Sequence, residues 1–331
     1  MDPMKILCLG TTPAVQRVMV FRKLALDAVN RAATTLDGAA GKSINVAKVL
    51  KTLGEQPVAT GFLGGDRGEF LRVALMDKGI ESDFVTVSTG TRQCLTMIDE
   101  SAGTHTELVE ESHPVKPADF DKLMAVVRRR ASECRALVMS GTTVTGGPAN
   151  LYFDCAKLAE KAGALSVVDA HGTALMAALK ARPGLVKPNR AELAATVGRE
   201  FKDDVEVMNA MRDVCERGAQ RMVVTAGKEP ALAFDGKTFW RIIQPQIEVM
   251  NPIGSGDACT AGLVLRLLRG DDLGEACRWG CAAGAANALT LMTGEVEVEG
   301  VRRLARKSKC GMFEGLAVKG RFDKSGLTGM L

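Results

Sequence analysis

No stretch of this 331-residue sequence is apolar over the length a bilayer requires, and its first residues lack the charged-then-apolar pattern of an export signal. Membrane insertion and secretion are therefore not expected. The nine cysteines include no C-x-x-C pair, so neither a disulfide framework nor a cysteine-based zinc site is anticipated. They read as small buried residues of a reduced compartment, and a cytoplasmic location is expected. An excess of one charge is also missing: 43 basic against 39 acidic side chains leave a net +4, too weak and dispersed to argue for nucleic acid. The one dense basic run, Arg128-Arg129-Arg130, falls at the end of a predicted helix, where cations favour the dipole. Repeats and low-complexity tracts are absent as well. What is present, 46% hydrophobic and 25% charged residues, is ordinary for an enzyme with a sizeable core. The length suits one large α/β domain or two smaller ones.

Periodicity predicts a buried first strand at Lys5–Gly10, ending in an irregular Thr11–Arg17. A helix then carries Ile44, Val46, Ala47, Val49, Leu50 and Leu53 on one face and closes at Gly54. From there short apolar runs alternate with helical patterns as far as residue 225, followed by two short strands and two long helices. That alternation predicts a doubly wound, mostly parallel sheet with helices on both faces, which places ligands at the carboxyl ends of its strands. Residues 83–110 alternate polar and apolar positions instead, residues 18–36 are mixed and suit short strands, and the pieces near 12–36 and 83–110 are expected to form a small antiparallel β lid inserted in a domain spanning 1–306. Residues 307–331 read as a loosely attached tail.

The most informative stretch is Asn251-Pro252-Ile253-Gly254-Ser255-Gly256-Asp257, followed at once by an apolar helical run. Glycines allow several N–H groups to turn toward one point, and a helix N-terminus adds partial positive charge. The result is an anion hole, Gly254, Ser255 and Gly256, with a carboxylate, Asp257, at its lip. That pairing suits phosphoryl transfer, although a capped glycine-rich turn would read the same way.

Other constellations are less specific. Gly41-Lys42-Ser43 precedes a helix, but the P-loop pattern needs a glycine five positions earlier, where Leu36 stands. A lysine at a helix N-terminus still favours an anion. Asn189 and Glu192, after Lys187-Pro188, have capping-box spacing, or could hold a hydrated Mg²⁺ near nucleotide phosphates. His171, in Asp169-Ala170-His171-Gly172, reads as incidental. Val223-Val224-Thr225-Ala226-Gly227 is a strand ending in a turn suited to close approach by a flat ligand such as a nucleotide.

Together these stretches, from about residue 5 to 300, resemble the ribokinase-like (PfkB) sugar kinases, especially the branch of 1-phosphofructokinase and tagatose-6-phosphate kinase. The glycine stretch is similar to that family's N-T-x-G-A-G-D signature, and Phe62-Leu63-Gly64-Gly65-Asp66 and Asp27-Ala28-Val29-Asn30-Arg31 also resemble the branch. The resemblance implies a kinase using ATP and Mg²⁺ on a sugar phosphate, with Asp257 as base. It implies substrate contacts at Gln16, Gly41, Lys42, Asn45, Arg92 and Ser140. Nucleotide contacts are implied at Lys187, Asn189, Thr225, Gly227 and Asn287, and a metal role at Glu192 with Asn189 through water. It also implies a homodimer through the lid, with Arg31 near a partner's site. The departures fall mainly on the sugar side: aligned on Pro13-Ala14, Thr12 and Gln16 replace the family's asparagine and aspartate, and Ala40 and Ser43 replace glycines. Pro230 also stands where a glycine is usual.

Overall fold

The computed structural model describes residues 5–314. Its first strand, β1 (Lys5–Gly10), already divides the molecule in two. Ile6 and Cys8 enter one apolar cluster, while Leu7 and Leu9 enter another on the opposite face. A strand covered on both faces has no polar side, which explains the unbroken apolar run.

β2 (Ala14–Phe21) and β3 (Thr34–Ala40) leave that sheet before α1 (Lys42–Thr52) returns to it. β4 (Pro57–Leu63), α2 (Gly65–Asp77) and the short strands β5 (Glu81–Ser82) and β6 (Val85–Thr86) follow, then β7 (Arg92–Asp99) and β8 (Thr104–Val109). The regular alternation comes next: α3 (Pro117–Ala131), β9 (Cys134–Ser140), α4 (Leu151–Lys161), β10 (Leu165–Asp169), α5 (Gly172–Leu179), β11 (Leu185–Val186), α6 (Arg190–Val197), α7 (Asp204–Glu216) and β12 (Met222–Ala226). β13 (Glu229–Phe234), β14 (Thr238–Ile243), α8 (Ser255–Leu268), α9 (Leu273–Asn287), α10 (Val298–Lys307) and β15 (Lys309–Glu314) close the described chain.

The main sheet has the order β15-β14-β13-β12-β11-β10-β9-β1-β4-β5, with β6 also on β4. It is parallel from β12 to β5 and antiparallel from β12 to β15. α1, α8 and α9 supply side chains to one cluster, and α3, α4, α5 and α7 to the other. This is the doubly wound α/β fold expected from the alternation. The small sheet is the lid, in the order β3-β2-β7-β8. Its outer pairings are antiparallel and the central β2–β7 pairing is parallel.

Two boundaries differ from expectation. The lid continues along β3 to Ala40, whereas Val85 and Thr86 pair in parallel with Phe62 and Leu63 of β4. Val85 is buried in the core, so its burial places it with the main sheet. Residues 309–314 are not a loose tail either: β15 pairs with β14 along its whole length, from Ile243↔Lys309 to Thr238↔Glu314. A lysine start and a central glycine hide that strand in the sequence. Residues 315–331 of the expected tail lie outside the described residues.

α8 and α9 approach each other backbone to backbone. A Cβ on Gly262 would stand 2.8 Å from Gly280 Cα and 2.9 Å from the Trp279 carbonyl oxygen. That closeness brings α9 against the first turn of α8, where the site lies. Gly262→Ala should therefore destabilise by about 1–3 kcal/mol through overpacking, more than the roughly 1 kcal/mol of helix propensity it gains. Urea unfolding of both proteins checks this, and a more stable variant would contradict the packing described.

Candidate active site

The parallel strands place their carboxyl ends together beneath the lid, and there a cleft of about 1210 Å³ opens. Its floor is the start of α8. Gly254, the residue before that helix, sits at φ 84°, a left-handed conformation that favours glycine. A side chain there would also press on Thr293 Cβ at 3.0 Å. Two buried asparagines fix the loop. Asn251 Nδ2 donates to the Leu291 carbonyl at 2.7 Å, and its Oδ1 accepts from Ile253 N. Asn287 Nδ2 donates to the Ile253 carbonyl at 2.9 Å, and its Oδ1 accepts from Gly294 N at 2.7 Å. The first N–H groups of a helix have no intrahelical acceptor, so those of α8 are available to an anion in the cleft. Ser255 N is partly committed, since it donates to the Pro252 carbonyl at 3.2 Å.

Asp257 lies in the first turn of α8, buried and lining the cleft. Asn45 Nδ2 donates to its Oδ2 at 2.7 Å, so α1 and α8 meet at this carboxylate. Burial pushes the Asp257 carboxyl up to about 7, against the opposing pull of the Lys42 charge and the Asn45 hydrogen bond. A carboxylate poised near neutrality can take a proton from a hydroxyl and later release it.

Around it stands a chain of alternating charges. Lys187, at the end of β11 and fully buried, lies 3.2 Å from Asp169 Oδ2 at the end of β10. Thr260 Oγ1 donates to that same oxygen at 2.7 Å. Lys42 lies 3.7 Å from Asp169 Oδ1 and 3.4 Å from Glu192 Oε1. Burial opposes the charge on Asp169, but Lys187 and Lys42 outweigh it and hold the carboxyl below its usual range. Asp169 in turn raises Lys42, with Asp257 and Glu192 adding to it. His171 reads as incidental in this stretch; the residue that joins the site is Asp169, which sequence reading does not single out. The signal was available, an aspartate at the last position of a buried strand, but nothing in the sequence brings it beside Lys187.

Asn189 and Glu192 form the capping box. Asn189 Oδ1 accepts from Glu192 N, and Glu192 Oε2 accepts from Asn189 N, both at 2.8 Å. One Glu192 oxygen therefore remains toward the cleft, beside Lys42. Among the described residues no group of three or more His, Cys, Asp or Glu could hold a metal ion. A single carboxylate with an amide beside it still fits Mg²⁺, which keeps most of its waters and is carried largely by phosphates. Thr225, Gly227, Ile247, Ala285, Cys259 and Cys281 also line the cleft.

The lid closes one end of the cleft. Gln16 Nε2 donates to Thr96 Oγ1 at 2.9 Å, leaving its oxygen for the cleft. Arg92 also lines the cleft, but Nη2 donates to the Thr12 carbonyl and Nη1 to the Glu110 carbonyl. Opposite Thr96 on β8 is Glu107, another cleft residue that sequence reading missed; partial burial raises its carboxyl and Arg92 opposes the rise. Most of the residues inferred from sequence line this one cleft, including Gly41 as the residue before α1 and Gly256 beside Lys187. Ser140 and Asn287 do not. Ser140 is buried at the end of β9, and both ends of the Asn287 amide are used in holding the glycine loop.

Known structures share this architecture. Phosphofructokinase-2 from Escherichia coli, in complex with substrates and products, superposes with a TM-score of 0.84 at 27% identity, covering 92% of this chain and 99% of that one. A possible 1-phosphofructokinase from Thermotoga maritima gives 0.87 at 23% identity, over 94% and 100% of the two chains. A carbohydrate kinase from Agrobacterium tumefaciens gives 0.72 at 21% identity, over 95% and 100%. At those lower identities the last two show the fold alone. The profile of the pfkB family carbohydrate kinases matches residues 4–297, and the chain belongs to that family.

Proposed function

We propose that this carbohydrate kinase transfers the γ-phosphoryl group of ATP to a hydroxyl of a sugar phosphate, as a 1-phosphofructokinase or tagatose-6-phosphate kinase would. The observation that carries the reading is Asp257. It is a buried carboxylate near neutral pKa, in the first turn of the helix whose N-terminus faces the cleft. In this reading Asp257 takes the proton of the attacking hydroxyl while Asn45 holds its other side. The amides of the 254–256 turn and the Lys42 charge stabilise the negative charge on the transferred group. Thr225 and Gly227 lie at the nucleotide end, and Lys187 keeps Asp169 ionised behind Lys42. Asn189 and Glu192 would hold hydrated Mg²⁺, which supplies charge neutralisation on the phosphates when bound. The lid excludes water from the acceptor end. Nine free cysteines support the reading of a reduced, cytoplasmic setting. Leu26 and Val29, 94% and 83% exposed on the lid's β2–β3 loop, support a homodimer through the lid.

The second reading is a kinase of an unphosphorylated sugar or nucleoside. Glu107 favours it, because a carboxylate beside Arg92 weakens that end of the cleft for a phosphate dianion. Lys42 is also engaged by Asp169 and Glu192. Arg92→Ala separates the two. If Arg92 receives a phosphate, the KM for the acceptor should rise about tenfold or more while the KM for ATP changes little. Equal losses for both substrates would remove the phosphosugar assignment.

Asp257→Asn should lower kcat by about 10²–10⁴ without loss of the fold. Because the ionised carboxylate is the active form, kcat/KM should fall as pH drops through about 7. Lys42 pulls that pKa down, so Lys42→Met should move the acidic limb to higher pH. A pH–rate profile of wild type and Lys42→Met reads this directly, and a limb that moves down or stays put would exclude Asp257 as the titrating base.

A further inference from the structure

One buried cation lies outside the ionic chain of the site. Lys48, 3% exposed, follows Asn45 by three positions on α1 and so shares its face. Its ammonium donates to two backbone carbonyls, Thr293 at 2.5 Å and Ala39 at 3.2 Å. Neither acceptor is a carboxylate, and burying an ammonium on carbonyls alone is costly. Burial accordingly brings the Lys48 pKa down to about 8; Glu295 raises it and Lys78 lowers it.

Both acceptors belong to segments that shape the site. Thr293 precedes Gly294, whose N–H donates to Asn287, the side chain that holds the glycine loop. Thr293 Oγ1 donates to Asn45 Oδ1 at 3.1 Å, and Asn45 Nδ2 donates to Asp257. Ala39 lies on β3, next to Ala40, which lines the cleft where the lid meets α1. The ionised Asp257 carboxylate only accepts, so it takes the Asn45 nitrogen, and the amide oxygen is left to the Thr293 hydroxyl. Lys48 pins the backbone that supplies that hydroxyl.

We propose that Lys48 is a positioning residue for phosphoryl transfer: it fixes the Thr293 backbone so that Asn45 keeps its hydrogen bond to Asp257, and it anchors the base of the lid to the same point. The proposal rests on Asp257 as the base only for its kinetic consequence. The structural relay, Lys48 to Thr293 to Asn45 to Asp257, stands without it.

The test is the titration of Asp257, followed by carbon NMR of protein labelled at the aspartate carboxyl, with Asp257→Asn assigning the resonance. Lys42, Asp169 and Lys187 are the charges acting on this carboxyl, and they are the same in every variant compared. Asn45 stabilises the ionised form, so Lys48→Met should raise the titration by about half a pH unit or more. Asn45→Ala should raise it as well, and adding Lys48→Met to Asn45→Ala should add little, because both act through one bond. An unchanged titration in Lys48→Met, or full additivity in the double variant, overturns the proposal. Should circular dichroism show Lys48→Met unfolded, the comparison is made with Lys48→Arg. That variant keeps the charge but not the length, and a titration unmoved in it counts against the proposal equally. With fructose 1-phosphate or tagatose 6-phosphate as acceptor, kcat of Lys48→Met should fall about tenfold with KM for ATP nearly unchanged. A wild-type enzyme inactive on both acceptors would count against the proposed function, while the titration would still judge Lys48.

Discussion

The structure around the cleft depends on the burial of Asp169 between two lysines. A carboxylate this deep, at the end of a central strand, would be expensive to keep charged without partners. Lys187 and Thr260 satisfy one oxygen and Lys42 faces the other. These contacts join the end of β10, the end of β11, α8 and the first residue of α1. Once Lys42 is held there, its charge also reaches Asp257 and Glu192. Asp169 therefore sets the field in which Asp257 titrates. Breaking the pair on one side would leave an uncompensated buried charge, which is costly.

The second constraint is backbone closeness. α8 starts from a left-handed glycine and runs against α9 where only glycines fit. Asn287, at the end of α9, can then reach back to the loop before α8, and Asn251 holds that loop from the other side. The amide cradle is thus shaped by helix packing and two asparagines, and Ser255 carries its one side chain. This division explains why Asn287 is a holder of the loop although its neighbours line the cleft.

Much of this was legible in the sequence. The apolar runs with β-type length, the helical faces and the glycine turn are local patterns, and local patterns survive without knowledge of partners. Asp257 announced itself because a glycine pair, a carboxylate and a helix start are adjacent in the chain. The less visible parts are those made by contact over long separations. Asp169 lies 91 residues from Thr260, and Lys48 lies 245 from Thr293. Glu107 faces the cleft only because β8 pairs with β7 in one register. β15 was hidden for another reason: an edge strand with charged ends and a central glycine has little apolar signal, and the ladder to β14 fixes it. The capping box at Asn189 and Glu192 shows the converse case. Its spacing was plain, and the structure adds that capping leaves one Glu192 oxygen for the cleft.

Of the departures, Gln16 and Ala40 line the cleft and Ser43 is buried in the first turn of α1, whereas Asp257, the glycine turn and the lysines are intact. The central claim is that this cleft phosphorylates a sugar phosphate. It is tested most directly by ATP consumption of the purified protein, with Mg²⁺, against a panel of ketose and aldose phosphates beside the free sugars. The account predicts turnover with a phosphorylated acceptor, fructose 1-phosphate or tagatose 6-phosphate first among them. A protein that consumed ATP only with unphosphorylated sugars, or with none of the panel, would contradict it.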